Sequence, residues 1–155
     1  MLNLNYATLA TAYHHYDGMT PAALRETLGC SESAMVRAGN GAVLTSLALI
    51  SAGVQLSGPL KIENGPLTGR KLENAPNRLA EWLATRHREP ENLALTKGLA
   101  DVAYQLFGRR GIVAFIQGTG PAGGSIALLD GKNAAPHCVA AEALHPRAVH
   151  FWEIA

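Results

Sequence analysis

GIVAFIQGTGPAGGSIALLDG, residues 111–131, consists of two short apolar runs joined by a glycine-rich connection. Ile112 to Gln117 and Ser125 to Leu129 have the length and composition of strands. Between them, Gly118 to Gly124 holds four glycines and a proline, the chemistry of a turn. The connection spells G-x-G-x-x-G through Gly118, Gly120 and Gly123. A dinucleotide site with that spelling needs a helix directly after it, whose N-terminal amides hold the pyrophosphate. Here Pro121 interrupts the loop and SIALLDG continues as a second strand, so the segment reads as a β-hairpin.

Outward from the hairpin, Arg147 to Ile154 (RAVHFWEI) also has strand propensity. The segments before it read as helices. Residues 4–16 place Leu4, Leu9, Ala12, Tyr13 and Tyr16 at near-helical spacing. Thr20-Pro21 starts a second helix that ends at Leu28-Gly29, with Thr20 as cap and Pro21 in the first turn. Ser31 to Gly39 reads as a loop. Asn40-Gly41 then opens AVLTSLALISAG, the most apolar helix of the chain, closed by Gly53 and expected at the centre of the fold. Leu56 to Gly69 reads as irregular surface, Asn77 to His87 as an amphipathic helix, and Leu93 to Phe107 as another helix. The expected class is α+β. N-terminal helices pack on one face of an antiparallel sheet formed mostly by the C-terminal half, in a single domain spanning 1–155.

Composition narrows the function. Hydrophobic residues make up 48% and charged residues 16%, which suits a globular chain. Thirteen basic against twelve acidic side chains leave a formal charge of +1, without the basic excess that a nucleic-acid surface needs. The longest apolar run, Ala42 to Val54, is too short to span a bilayer. The N-terminus lacks a secretory signal pattern, so the chain is expected to start in the cytoplasm and to leave it by another route. Cys30 and Cys138 cannot build a disulfide scaffold and read as free small hydrophobes.

Candidate chemistry is sparse. A thiol hydrolase would assemble where a helix N-terminus meets a sheet, because the helix end lowers the thiol pKa and a neighbouring histidine takes its proton. The helix start here offers Asn40, Gly41 and Ala42, none of them a nucleophile. Ser46, one turn further in, reads as core lining. His137, Cys138, His145 and His150 match no standard zinc spacing, so neither metal nor cofactor is expected. Cys138 beside His137 could form a reactive pair only if the two side chains converged, which neighbours in sequence rarely do.

Several segments together resemble the fourth class of type VI secretion amidase effectors, small papain-like (NlpC/P60-type) enzymes that cut peptidoglycan stem peptides. GNGAVLTSLALISAGVQL resembles the family's central helix, which opens with Asn-x-Cys. Arg110-Gly111-Ile112-Val113 resembles its Lys-Gly-Ile-Ile strand. Gly124-Ser125-Ile126-Ala127-Leu128-Leu129-Asp130-Gly131 resembles Gly-His-x-x-Leu-Trp-x-Gly. Ala134-Ala135-Pro136-His137-Cys138 stands where the family has Cys-x-Asp-x-Cys, and His150 to Ile154 resembles the closing strand. Arg78 to Leu83 resembles the helix between the two halves.

The resemblance implies an active site whose chemistry is missing here. The nucleophile position falls on Ala42, or on Gly41 if the register slips by one. The histidine position is Ser125 and the aspartate position is Pro136. Ala134 replaces the cysteine that would pair with Cys138. The implied protein is a catalytically inactive amidase relative with a groove near Asn40, Gly41, Ala42, Ser46, Gly124, Ser125 and His137. Its expected occupant is a cell-wall peptide or a protein partner, immunity-type or from the secretion apparatus. The competing expectation is an active hydrolase or toxin that has moved its chemistry to Cys138, His137 or Ser125.

Overall fold

A computed structural model describes residues 2–30 and 41–154. The expected loop from Ser31 to Gly39, and Asn40, lie outside the described residues. Helix α1 (Tyr6–Asp17) begins where the Asn5 side chain accepts the Thr8 N–H at 3.0 Å. Helix α2 (Pro21–Leu28) starts as its sequence indicates. The Thr20 hydroxyl accepts the Ala23 N–H, Pro21 opens the first turn, and Gly29 closes the helix in the left-handed conformation.

Helix α3 (Ala42–Ser51) is the buried centre: Ala42, Val43 and every residue from Thr45 to Ile50 are out of solvent. Its neighbours are α1, helix α4 (Pro76–Arg86) and the sheet. Helix α5 (Leu99–Leu106) and helix α6 (Ala134–Ala141) follow later in the chain.

The main sheet has four antiparallel strands in the order β3 (Glu91–Leu93), β6 (Ala148–Glu153), β4 (Arg110–Ile116), β5 (Ser125–Asp130). Strands β4 and β5 form the expected hairpin, in register from Arg110 opposite Asp130 to Phe115 opposite Ser125. A small ribbon pairs β1 (Leu60–Lys61) with β2 (Lys71–Leu72). Its first strand gives order within the Leu56 to Gly69 stretch, whose sequence suggests only irregular surface, and Ile62 beside it is fully buried.

Helices cover both faces of the sheet, not one. Ile112, Ala114, Ile116, Ile126, Leu128 and Trp152 pack with α1, α3 and α4. Val113, Phe115, Ala127, Leu129, Val149 and Phe151 pack with α5 and α6. The signal was in the strands themselves: β4 and β5 are apolar at consecutive positions, as strands buried on both faces must be, rather than alternating. A second correction concerns Leu93 to Phe107. Its first residue, Leu93, ends β3 at the sheet edge, and the helix starts only at Leu99. The pairing of Glu91 to Leu93 with Val149 to Phe151 is a long-range event that local spacing does not report.

Candidate functional site

The start of α3 abuts the free edge of β5. Gly41 precedes the helix with φ of 75°, and a Cβ built on it would lie 1.8 Å from the carbonyl oxygen of Ile126. No side chain fits there. Ala42, the first helical residue, has no exposed surface. Ser125, next to Ile126, opens β5 and is half-buried. Strand alternation puts it on the side of Ala127 and Leu129, the face that α5 and α6 cover. The fold therefore brings Gly41 and Ala42 to the strand end where Ser125 stands.

The loop leading into Ser125 is held from inside by Asn77, in the first turn of α4. Its Nδ2 donates to the carbonyls of Gln117 and Gly120, both at 2.7 Å, while its Oδ1 accepts the Gln117 N–H at 3.4 Å. Gln117 continues the network through Nε2 to Leu144 O at 2.9 Å. Gly124 is required by this packing. With φ of 81°, a Cβ on it would meet Phe115 O at 2.2 Å and Asn77 Oδ1 at 2.7 Å. Sequence reasoning placed Asn77 only as the start of an amphipathic helix. An asparagine after a helix-opening proline was the available signal, but its partners lie 40 residues away.

Ser46 has no exposed surface, and its hydroxyl both donates to Glu73 O at 2.9 Å and accepts the Glu73 N–H at 3.2 Å. It ties α3 to the chain before α4. Glu73 is itself buried, with Oε2 accepting the Ala75 N–H and Oε1 3.7 Å from the Arg78 guanidinium.

Helix α6 turns Ala134, Cys138 and Ala141 onto the sheet and leaves Pro136 exposed. His137 is half-buried, and its pKa is pushed down by burial against the pull of Asp130 and Asp17. Asp130 closes β5, five residues from Ser125, which is about 17 Å along an extended strand. The surroundings of His137 thus belong to the opposite end of β5 from Ser125. Cys138 and Cys30 are both free. Burial raises the Cys138 thiol to about 11, which keeps it protonated at neutral pH. Among the described residues no group of three histidine, cysteine or acidic side chains could hold a metal ion.

An α+β frame in which a central apolar helix points its N-terminus at the edge of a hairpin is the architecture of a known class of bacterial effectors. Residues 39–152 match the family described as type VI secretion system (T6SS) amidase effector protein 4, Tae4, and the chain belongs to that family. Its fold is similar to Tae4 in the Tae4–Tai4 effector–immunity complex of Enterobacter cloacae, at TM-score 0.72 and 15% identity, covering 99% of this chain and 100% of that one. It is similar also to the chain in the Tae4/Tai4 effector–immunity structure from Salmonella typhimurium, at TM-score 0.68 and 15% identity over 99% of both chains. At such identity the likeness is one of fold. A comparison with curated proteins found no match. Among the described residues, no helix is long and apolar enough to cross a membrane.

Proposed function

We propose that this chain is a catalytically inactive, single-domain member of its amidase effector family, built on a papain-like NlpC/P60-type frame. The observation that carries the reading is Ala42 at the first turn of α3, where a papain-like enzyme presents its thiolate. Gly41 admits no side chain, which favours Ala42 over Gly41 as the vestigial nucleophile position. Ser125 stands in for the histidine and Pro136 for the aspartate. A methyl group, a hydroxyl without a base and a proline supply no nucleophile, no base and no orienting acceptor.

What remains is a recognition surface at the start of α3, with Gly41 and Ser125 as its accessible candidate residues, since Ala42 and Gly124 are buried. Its occupant is a cell-wall peptide or an immunity-type protein, the latter supported by the Tae4–Tai4 complexes that relatives form. Delivery is by the type VI apparatus to a target-cell periplasm.

The test is digestion of purified peptidoglycan followed by separation of the muropeptides. The expected result is an unchanged profile with the native chain. New stem-peptide fragments that persist in Ser125→Ala and Cys138→Ala variants would overturn the assignment of inactivity.

A further inference from the structure

A cavity of about 370 Å³ opens between α4 and the hairpin loop, bordered by Arg147 just before β6 and by His150 within it. That volume sits at the lower end of the range for small-molecule sites, about 300–1,000 Å³, and suits a ligand of dipeptide size. Neither Ala42 nor Ser125 lines it.

Two guanidinium groups border the cavity with donors to spare. Arg147 donates through Nε to Gly118 O at 2.6 Å, which anchors the group to the loop, and its terminal nitrogens have no acceptor among the described residues. Arg78 is half-exposed and lies 3.7 Å from Glu73 Oε1, longer than a hydrogen bond. The lining itself carries one acid, Glu81, while the buried Glu73 stands behind Arg78 as its ion-pair partner. His150 is half-buried, and burial and Arg147 both push its pKa down, so it adds a neutral hydrogen-bonding ring. Ala80 and Ala84, one turn apart on α4, line the same cavity with nothing larger than methyl groups.

We propose that this cavity binds the terminal carboxylate of a short peptide ending in a small apolar residue. The carboxylate lies between Arg147 and Arg78, and the small side chain rests on Ala80 and Ala84. Guanidinium forks match carboxylate and phosphate alike, but a phosphate dianion would add charge beside Glu81 and leave the methyl floor uncovered. The inference stands whether or not the chain cleaves anything, because no residue of the vestigial triad takes part.

Calorimetric titration of the intact chain with N-acetyl-alanyl-alanine, its C-terminal amide and inorganic phosphate tests the proposal. Saturable binding of the free acid is expected, with the amide at least about tenfold weaker and phosphate failing to displace the acid. Arg147→Gln should weaken the free acid by about tenfold or more. Ala84→Leu fills the floor without touching charge, and should abolish binding while the melting temperature holds; it decides the matter if Arg147→Gln fails to fold. No saturable binding, equal binding of acid and amide, displacement by phosphate, or undiminished binding to a folded Ala84→Leu variant would each overturn it.

Discussion

The Cα of Gly41 stands against the carbonyl oxygen of Ile126, so close that an added Cβ would lie 1.8 Å from it. This contact seats the N-terminus of the central helix on the edge of β5. Gly41→Ala should therefore cost about 2–5 kcal/mol, from the backbone clash and the left-handed conformation together. Gly53 supplies the control, since its φ is 95° but nothing lies within 4 Å of its Cβ position. Gly53→Ala should cost only about 1 kcal/mol, from conformation alone. Equal losses for the two variants in urea unfolding would show that the contact with Ile126 has no energetic consequence.

Arg109 clamps the other end of the sheet. It meets Glu91 through two nitrogens at 2.7 and 3.1 Å and Glu153 at 3.0 Å, with its guanidinium 4.7 Å from the Phe151 ring centre. The Arg109 hydrogen bonds hold the Glu91 carboxyl below its ordinary pKa. A lowered carboxylate pKa adds stability above the unfolded-state value of 4.5, and that stability is lost as pH falls through the lower folded-state value. Because the Glu91 side chain is 47% exposed, solvent screening limits the effect to about 1 kcal/mol. Unfolding curves from pH 7 to 3 should show a shallower acid decline for Arg109→Ala than for the native chain.

His137 and His150 carry the opposite lesson about buried bases. Burial lowers both pKa values from 6.5, so below pH 6.5 the unfolded chain takes up protons that the folded chain resists. Stability should fall from about pH 6.5 downward, and His137→Asn should remove part of that slope. Superimposable pH profiles for variant and native chain would contradict this account.

The two thiols should separate by access. Cys138 is 2% exposed with its thiol raised to about 11, whereas Cys30 is partly exposed, though burial and Glu63 also raise its pKa. At pH 8 a chromogenic disulfide reagent should label Cys30 first, and Cys138 only when the chain unfolds. Rapid labelling of two thiols in the folded protein would refute the burial of Cys138.

Asn77 should control the loop before Ser125. Asn77→Ala removes two 2.7 Å hydrogen bonds and should cost about 1–3 kcal/mol. Amide exchange across Gly118 to Gly124 should accelerate, while exchange within β4 stays slow. Unchanged loop protection would assign the loop's order to Gln117 and Arg147 instead.

The chain's own letters determined a good deal. Two apolar runs around a glycine-rich turn are sufficient for a hairpin, because turn chemistry and strand composition act over a few residues. Thr20-Pro21 and Gly29 mark the ends of α2 for the same local reason. The predominantly apolar character of AVLTSLALIS announced a buried helix.

Tertiary structure decided the rest. Which face of β5 each helix covers, the recruitment of Leu93 into a sheet edge, and the grip of Asn77 on a loop 40 residues away all depend on contacts distant in sequence. Helical and strand spacing report only which residues share a side of their own element, not what meets that side. The same holds for Gly41. Its letter permits any backbone, and only the carbonyl of Ile126 against it shows that a side chain is excluded.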